Sequence, residues 1–263
     1  MSDTTARVLY AIPAIAFAGF IVASGGLVFA IGVILVGVVC LHELYTMTER
    51  VQPAKLAGFL GLAALILCAH FGDQFQVLLA LALTVPATFL LSLLRPHRAN
   101  VSWAIAVTLL GVVWIGLALA HAVLLRKLDH GGALVLATLI GTFIGDTCAY
   151  FAGRAWGQRP MAPLISPNKT LEGLLGGIAG GTFAFWLFMF GYHDWIPGGK
   201  ALLIGLAVAL AAPLGDLFES LLKRDLDVKD TGRVFGAHGG ALDRLDAVLF
   251  TAVTAYYVSL AVL

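Results

Sequence analysis

Nine apolar runs, each close to the length that crosses a bilayer, leave this chain little choice but a membrane fold. A helix needs about 20 predominantly apolar residues to span the hydrocarbon layer, somewhat fewer where flanking side chains snorkel or the bilayer thins. By that measure the runs fall at approximately 8–23, 26–42, 55–70, 74–94, 102–125, 132–153, 171–192, 200–221 and 242–263. The first two are separated only by Ser24, Gly25 and Gly26, which must turn tightly inside one long apolar stretch. The run behind Arg7 reads as a retained first span and not as a secretory signal, because everything downstream is membrane as well. A soluble domain carries about 25% charged residues. Here 12% are charged, 60% are hydrophobic, and the mean hydropathy is +0.95, which excludes one. The expected fold is therefore all-α: a polytopic integral membrane protein of about nine transmembrane helices, with the N-terminus in the cytoplasm.

The basic residues test that layout, because short cytoplasmic loops carry an excess of Lys and Arg. With the N-terminus inside, 13 of the 16 fall on one side: Arg7, Arg50, Lys55, Arg95, Arg98, Arg154, Arg159, Lys169, Lys223, Arg224, Lys229, Arg233 and Arg244. Only Arg126, Lys127 and Lys200 fall on the other. Losing one span would scramble this pattern downstream. The polar segments 154–170 and 222–241 become cytoplasmic loops. A net charge of +1 offers no field for nucleic acid, so no nucleic-acid partner is expected. Cys40, Cys68 and Cys148 each lie inside an apolar run without ligand spacing and read as packing residues.

Of the 15 acidic residues, only Asp3, Glu43, Glu49, Asp73 and Asp129 precede Asp146. Residues 1–131 therefore read as a transmembrane scaffold of about five helices, and 132–263 as a catalytic half of about four. Three features in that half carry chemistry. Asp146 sits mid-span, with Thr142 and Tyr150 on the same helical face. A carboxylate there costs roughly 2.5–3.5 kcal/mol on insertion scales, so it needs a partner or a function. Ser166-Pro167 reads as an N-cap and first residue of the seventh span, an anion site to which Lys169 adds charge, with Glu172 orienting the lysine or sharing a metal. Gly176, Gly177, Gly180 and Gly181, inside that span, read as close helix packing. The third feature is the longest. Asp216, Glu219, Ser220 and Lys223 share one helical face, a polar loop follows, and the last span opens with Asp243-Arg244-Leu245-Asp246. One or two carboxylates together with substrate phosphates are the usual way of holding magnesium, and lysines and arginines cover the remaining phosphate oxygens.

These residues resemble the phosphatidate cytidylyltransferase family, or CDP-diacylglycerol synthases. The resemblance lies in Ser220, Leu222, Lys223 and Arg224, then Lys229 and Asp230, then His238, Gly239 and Gly240, then Asp243, Arg244 and Asp246. The elements 166–173 (Ser-Pro-x-Lys-Thr-x-Glu-Gly) and 146–150 (Asp-x-x-Ala-Tyr) are similar to the family's upstream motifs, so the match covers roughly residues 145–246. Ala241, Gly236, Leu171 and Asn168 depart from the usual pattern, but none of these changes removes a proposed phosphate or metal ligand.

The resemblance implies transfer of CMP from CTP to phosphatidate, with Lys223, Arg224, Lys229, Asp230, His238 and Arg244 as catalytic residues. Ser166, Lys169, Thr170, Glu172, Ser220, Gly239 and Gly240 would bind substrate. Metal binding would fall to Asp216 and Asp243, supported by Asp246 and Asp146, with Mg2+ as cofactor and room for a second metal ion. His238 would contact pyrophosphate or move a proton. The resemblance also implies a homodimer. The expected location is a bacterial inner membrane, with the site open to the cytoplasm, where CTP meets a lipid held in the leaflet. Two other readings compete: a CTP-dependent enzyme acting on an isoprenoid lipid or as a lipid kinase, and a transporter. A transporter would usually show broken segments in both halves.

Overall fold

The computed structural model describes residues 3–94, 99–192, 194–232 and 239–263, and these are almost wholly helical. Each expected run emerges as helix, most ends falling within a few residues of their predicted places. The chain divides into two compact units. One comprises residues 1–127 and 226–244, and the other comprises 128–225 and 245–263. The loop that the sequence places in the second half thus belongs to the unit built mainly from the first.

That first unit contains α1 (Asp3–Ser24), α2 (Gly26–Met47), α3 (Lys55–Phe71), α4 (Gln74–Leu93), α5 (Val101–Gly111) and α6 (Ala118–Lys127). A π-helical stretch, Val112–Leu117, joins the last two into one 27-residue span. Gly25 and Gly26 turn the chain between α1 and α2 at φ +63° and +51°, the left-handed region that glycine enters without steric cost. The core gathers on α2, α3 and the α5–α6 span around Leu41, Leu44, Tyr45, Leu62, Ile66 and Ile115, all fully buried. Helix ends need partners because lipid offers no hydrogen bonds. Asp73 and Gln76 form a reciprocal capping box at the start of α4. Lys127 Nζ donates to the Ala69 and Gly72 carbonyls at the end of α3, and Arg126 Nε donates to Val22 O at the end of α1.

The other unit contains α7 (Gly131–Trp156), a two-stranded antiparallel hairpin of β1 (Pro160–Ala162) and β2 (Ser166–Thr170), α8 (Leu171–Tyr192), α9 (Gly198–Asp225) and all but the first turn of α10 (Leu242–Val262). α7 and α8 lie backbone to backbone. A Cβ on Gly145 would sit 3.3 Å from Gly177 O, and one on Gly141 would sit 3.2 Å from Gly181 O. Gly177 and Gly181 are therefore packing residues, as the spacing predicts. The Thr142 hydroxyl bonds that of Thr251 at 3.1 Å, tying α7 to α10.

Among the described residues, seven helical segments are long and apolar enough to cross a membrane, and Ile12–Ser24 and Lys55–Phe71 are shorter apolar helices. The 17 residues of α3 rise about 26 Å, short of a full hydrocarbon layer. The protein is all-α and polytopic, and nine crossings stay an expectation. Between α7 and α8 the segment 154–170 holds the end of α7 and a hairpin, and α9 runs on to Asp225, past the expected loop start at 222.

Candidate active site

In the second unit, charge converges from four elements. α9 presents Asp216, Glu219, Ser220 and Lys223 on one face. Glu219 is buried and accepts from Lys223 Nζ at 2.7 Å, while Ser220 Oγ reaches Asp216 Oδ1 at 3.4 Å. Lys169, at the end of β2, places its Nζ 2.5 Å from Asp216 Oδ2, with both side chains partly accessible. Asp146 from α7 and Asp246 from α10 lie close enough that their charges act on Asp216, and those of Lys169 and Glu219 act in the same field. Gly215 makes this approach feasible. A Cβ there would overlap the Asp246 carbonyl and come within 2.9 Å of Ala247 Cα, so α9 and α10 touch where Asp216 and Glu219 meet Asp246.

The hairpin is what aims Lys169, and its fastening corrects the predicted helix start. α8 begins at Leu171, and Ser166 and Pro167 lie in β2. The cap is Thr170, whose Oγ1 accepts from Gly173 N at 3.1 Å. Ser166 is instead paired with Ala162 across the hairpin, so it caps no helix and offers no helix-terminal anion site. Glu172 does not orient Lys169. Its Oε2 accepts from the backbone N–H groups of Gln158 and Arg159, which ties the hairpin's entry to α8. Arg224 Nε donates to Ile165 O at 3.1 Å, docking the end of α9 on the hairpin turn. Of the predicted stripe on α7, Asp146 alone joins the cluster. Thr142 is buried against α10, and the exposed Tyr150 pairs with Arg154.

Four carboxylates, Asp146, Asp216, Glu219 and Asp246, gather with only two lysines, Lys169 and Lys223. That surplus of oxygen donors suits a divalent cation. Among the described residues, no three or more His, Cys, Asp or Glu side chains are arranged to hold a metal alone. The donor set fits an ion held by a carboxylate pair and completed by substrate phosphate, the usual magnesium arrangement, rather than an all-protein cage.

The first unit holds a different constellation. Asp243 Oδ2 accepts from Thr231 N at 2.9 Å, Thr231 Oγ1 at 2.9 Å and Gly240 N at 2.7 Å. Gly239, at φ +81°, packs its backbone on the same oxygen, which a Cβ would approach to 2.8 Å. Lys229, Asp230 and Arg244 are exposed. His238 lies outside the described residues. Glu43, on α2, escaped the sequence reading, which treated this half as scaffold. Its carboxylate is buried, with Oε1 accepting from Ala241 N at 3.0 Å and Oε2 from Leu242 N at 2.9 Å. A lone acid in the run from Val33 to Tyr45 was the available signal.

Comparison with known proteins shows the family. The chain is 33% identical over 267 residues to the phosphatidate cytidylyltransferase of Bacillus subtilis (strain 168), covering 98% of both chains. It is 32% identical over 238 residues to the enzyme of the same name from Staphylococcus aureus (strain COL), covering 88% of this chain and 89% of that one. It is also 36% identical over 166 residues to that of Mycobacterium bovis, covering 62% of this chain and 53% of the relative. The profile described as the cytidylyltransferase family matches residues 5–262, so the match takes in both the acidic cluster and the Glu43-anchored segment, and the chain belongs to that family.

Proposed function

We propose that this membrane protein transfers CMP from CTP to phosphatidate, giving CDP-diacylglycerol and pyrophosphate, at the cytoplasmic face of a bacterial inner membrane. The observation that carries the reading is the Lys169–Asp216 pair set among Asp146, Glu219, Asp246 and Lys223. It combines cations for phosphate with carboxylates for a metal. Family membership and the relatives' names support the reaction, and the excess of basic residues on one side supports the orientation.

In this reading a phosphate oxygen of phosphatidate attacks the α-phosphorus of CTP. The bond from that phosphorus to the bridging oxygen breaks, and pyrophosphate leaves. The attacking phosphate is already ionised, so no base is required. The difficulty is bringing two polyanions together in line, which is a matter of position and charge. Lys169 and Lys223 offset the phosphate charge, and their carboxylate partners hold them ready at fixed positions. Arg224, Lys229 and Arg244 are proposed as further phosphate contacts, and Ser220 as a hydrogen-bonding group beside Asp216. Asp146, Asp216 and Asp246 would hold Mg2+ with the phosphates, which supplies charge neutralisation at the reacting oxygens. Asp243 is retained as a proposed ligand on the strength of the resemblance, as is homodimerisation.

Purified protein given CTP labelled in its base, together with phosphatidate, is expected to yield a labelled lipid and one equivalent of pyrophosphate. Labelled CDP in water with no labelled lipid would identify a kinase and refute cytidylyl transfer.

A further inference from the structure

We propose that Glu43 is a positioning residue for the reaction. Its carboxylate, carried on α2, caps the N-terminus of α10 and fixes the backbone that presents Asp243 and Arg244. The inference rests on the functional reading above only in taking 239–246 to be a reacting segment.

Asp243, in the first turn of α10, accepts from Gly240 N, but Ala241, just before the helix, has no side-chain oxygen, and the N–H groups of Ala241 and Leu242 must also find acceptors. Glu43 supplies them from a residue 198 positions earlier in the chain: Oε1 for Ala241 N and Oε2 for Leu242 N. A carboxylate is the best acceptor for this place, since it also complements the positive end of the helix.

The surroundings are shaped to this side chain. A Cβ on Gly232 or Gly240 would overlap the Glu43 carboxylate, so the loop backbone closes on it from both sides. Thr231 Oγ1 stands between the two acids, 3.2 Å from Glu43 Oε2 and 2.9 Å from Asp243 Oδ2. Its single proton serves one of them at a time, which couples the carboxylate on α2 to the one on α10. Glu43 is only 3% exposed, so it acts through the segment it holds and not by touching substrate. A backbone displaced by an ångström at Asp243 would move a phosphate- or metal-binding group out of line, an error that costs turnover more than ground-state binding.

The test uses full-length protein in lipid nanodiscs, with wild type, Glu43→Gln and Glu43→Ala compared per folded molecule. Hydrogen exchange at Ala241 and Leu242 is expected to accelerate by about tenfold or more in Glu43→Ala, with α7 and α8 unchanged, because only the local opening is affected. kcat is expected to fall by about a hundredfold in Glu43→Ala and about tenfold in Glu43→Gln, which keeps one acceptor oxygen, with KM for CTP moving by less than about threefold. Unchanged exchange at 241–242, or kcat within about twofold of wild type, overturns the proposal. If neither Glu43 variant folds, Thr231→Val, which removes only the bridging hydroxyl, carries the test. Faster exchange with reduced kcat supports coupling, and normal values of both overturn it. Wild-type protein that makes no labelled CDP-lipid would refute the reaction instead, while the exchange measurement would still report on the cap.

Discussion

Replacing Lys169 by methionine isolates the cation that faces Asp216 while keeping a side chain of similar length and apolar stem. Its Nζ lies 2.5 Å from Asp216 Oδ2, and the side chains retain 25% and 36% exposure, so the pair is neither buried nor fully solvated. A unit charge acting on a phosphate about 4 Å away is worth about 4 kcal/mol at an effective dielectric of about 20, which is nearly a thousandfold in rate. Partial exposure screens that value. Halving it to about 2 kcal/mol leaves roughly thirtyfold, so kcat/KM is expected to fall between about thirtyfold and a thousandfold. The local balance worsens as well, since Asp146, Asp216, Glu219 and Asp246 would face Lys223 alone. The assay is formation of base-labelled CDP-lipid by purified protein across a range of CTP, with folded fraction measured by size-exclusion chromatography. Lys169→Arg preserves the charge and should lose less than about tenfold, even though the planar guanidinium will engage Asp216 differently. A methionine variant within about threefold of wild type would refute the assignment of Lys169 to substrate phosphate.

Other consequences follow from the same geometry. Asp243→Asn should abolish turnover with normal yield of folded protein, because the amide oxygen can still accept from Thr231 and Gly240; normal cytidylyl transfer would remove its proposed ligand role. Gly177→Leu drives a side chain into Ala149 and the Gly145 carbonyl across the α7–α8 contact, and should cost about 1–3 kcal/mol or more, read as a lowered Tm in detergent. Thr170→Val removes the cap of α8 and should cost about 1 kcal/mol, with a rise in KM if the hairpin's aim on Lys169 loosens. Chelation of divalent cations should stop labelled-lipid formation and added Mg2+ should restore it; full activity in excess chelator would exclude the metal part of the proposal.

The helices were legible because their signal is one of length and apolarity, which is set by the bilayer and needs no knowledge of neighbours. Even the Gly25–Gly26 turn followed from the need to reverse inside an apolar run, and both glycines take positive φ. The site was legible only in part. Asp216, Glu219 and Lys223 share a face by helical periodicity alone, whereas the approach of Lys169 depends on a hairpin that eleven residues of mixed polarity do not announce. Ser166-Pro167 imitates a helix start, but Ser166 pairs with Ala162 across the hairpin, and the cap falls four residues later at Thr170. Glu43 was missed for a different reason. Its role is defined by the N–H groups of Ala241 and Leu242, nearly 200 positions away, and no local spacing encodes that.

The acids that the sequence groups by type separate by what they accept from. Glu43 is ringed by backbone N–H groups and one hydroxyl, and Asp243 Oδ2 takes three such donors, so these carboxylates organise the chain that surrounds them. Asp216 and Asp146 meet Lys169 instead, and Asp246, which takes one backbone N–H from Ala247, meets chiefly the other acids. Mutual repulsion among carboxylates is unfavourable in a fold that has no use for it, and burial makes it more so. Its persistence here is accounted for if the cluster is completed by something bearing positive charge. Two anionic substrates cannot supply that charge; a divalent cation held jointly by carboxylate and phosphate can. The surplus of carboxylates over lysines would then become the reason a polyphosphate and its metal bind at this cluster.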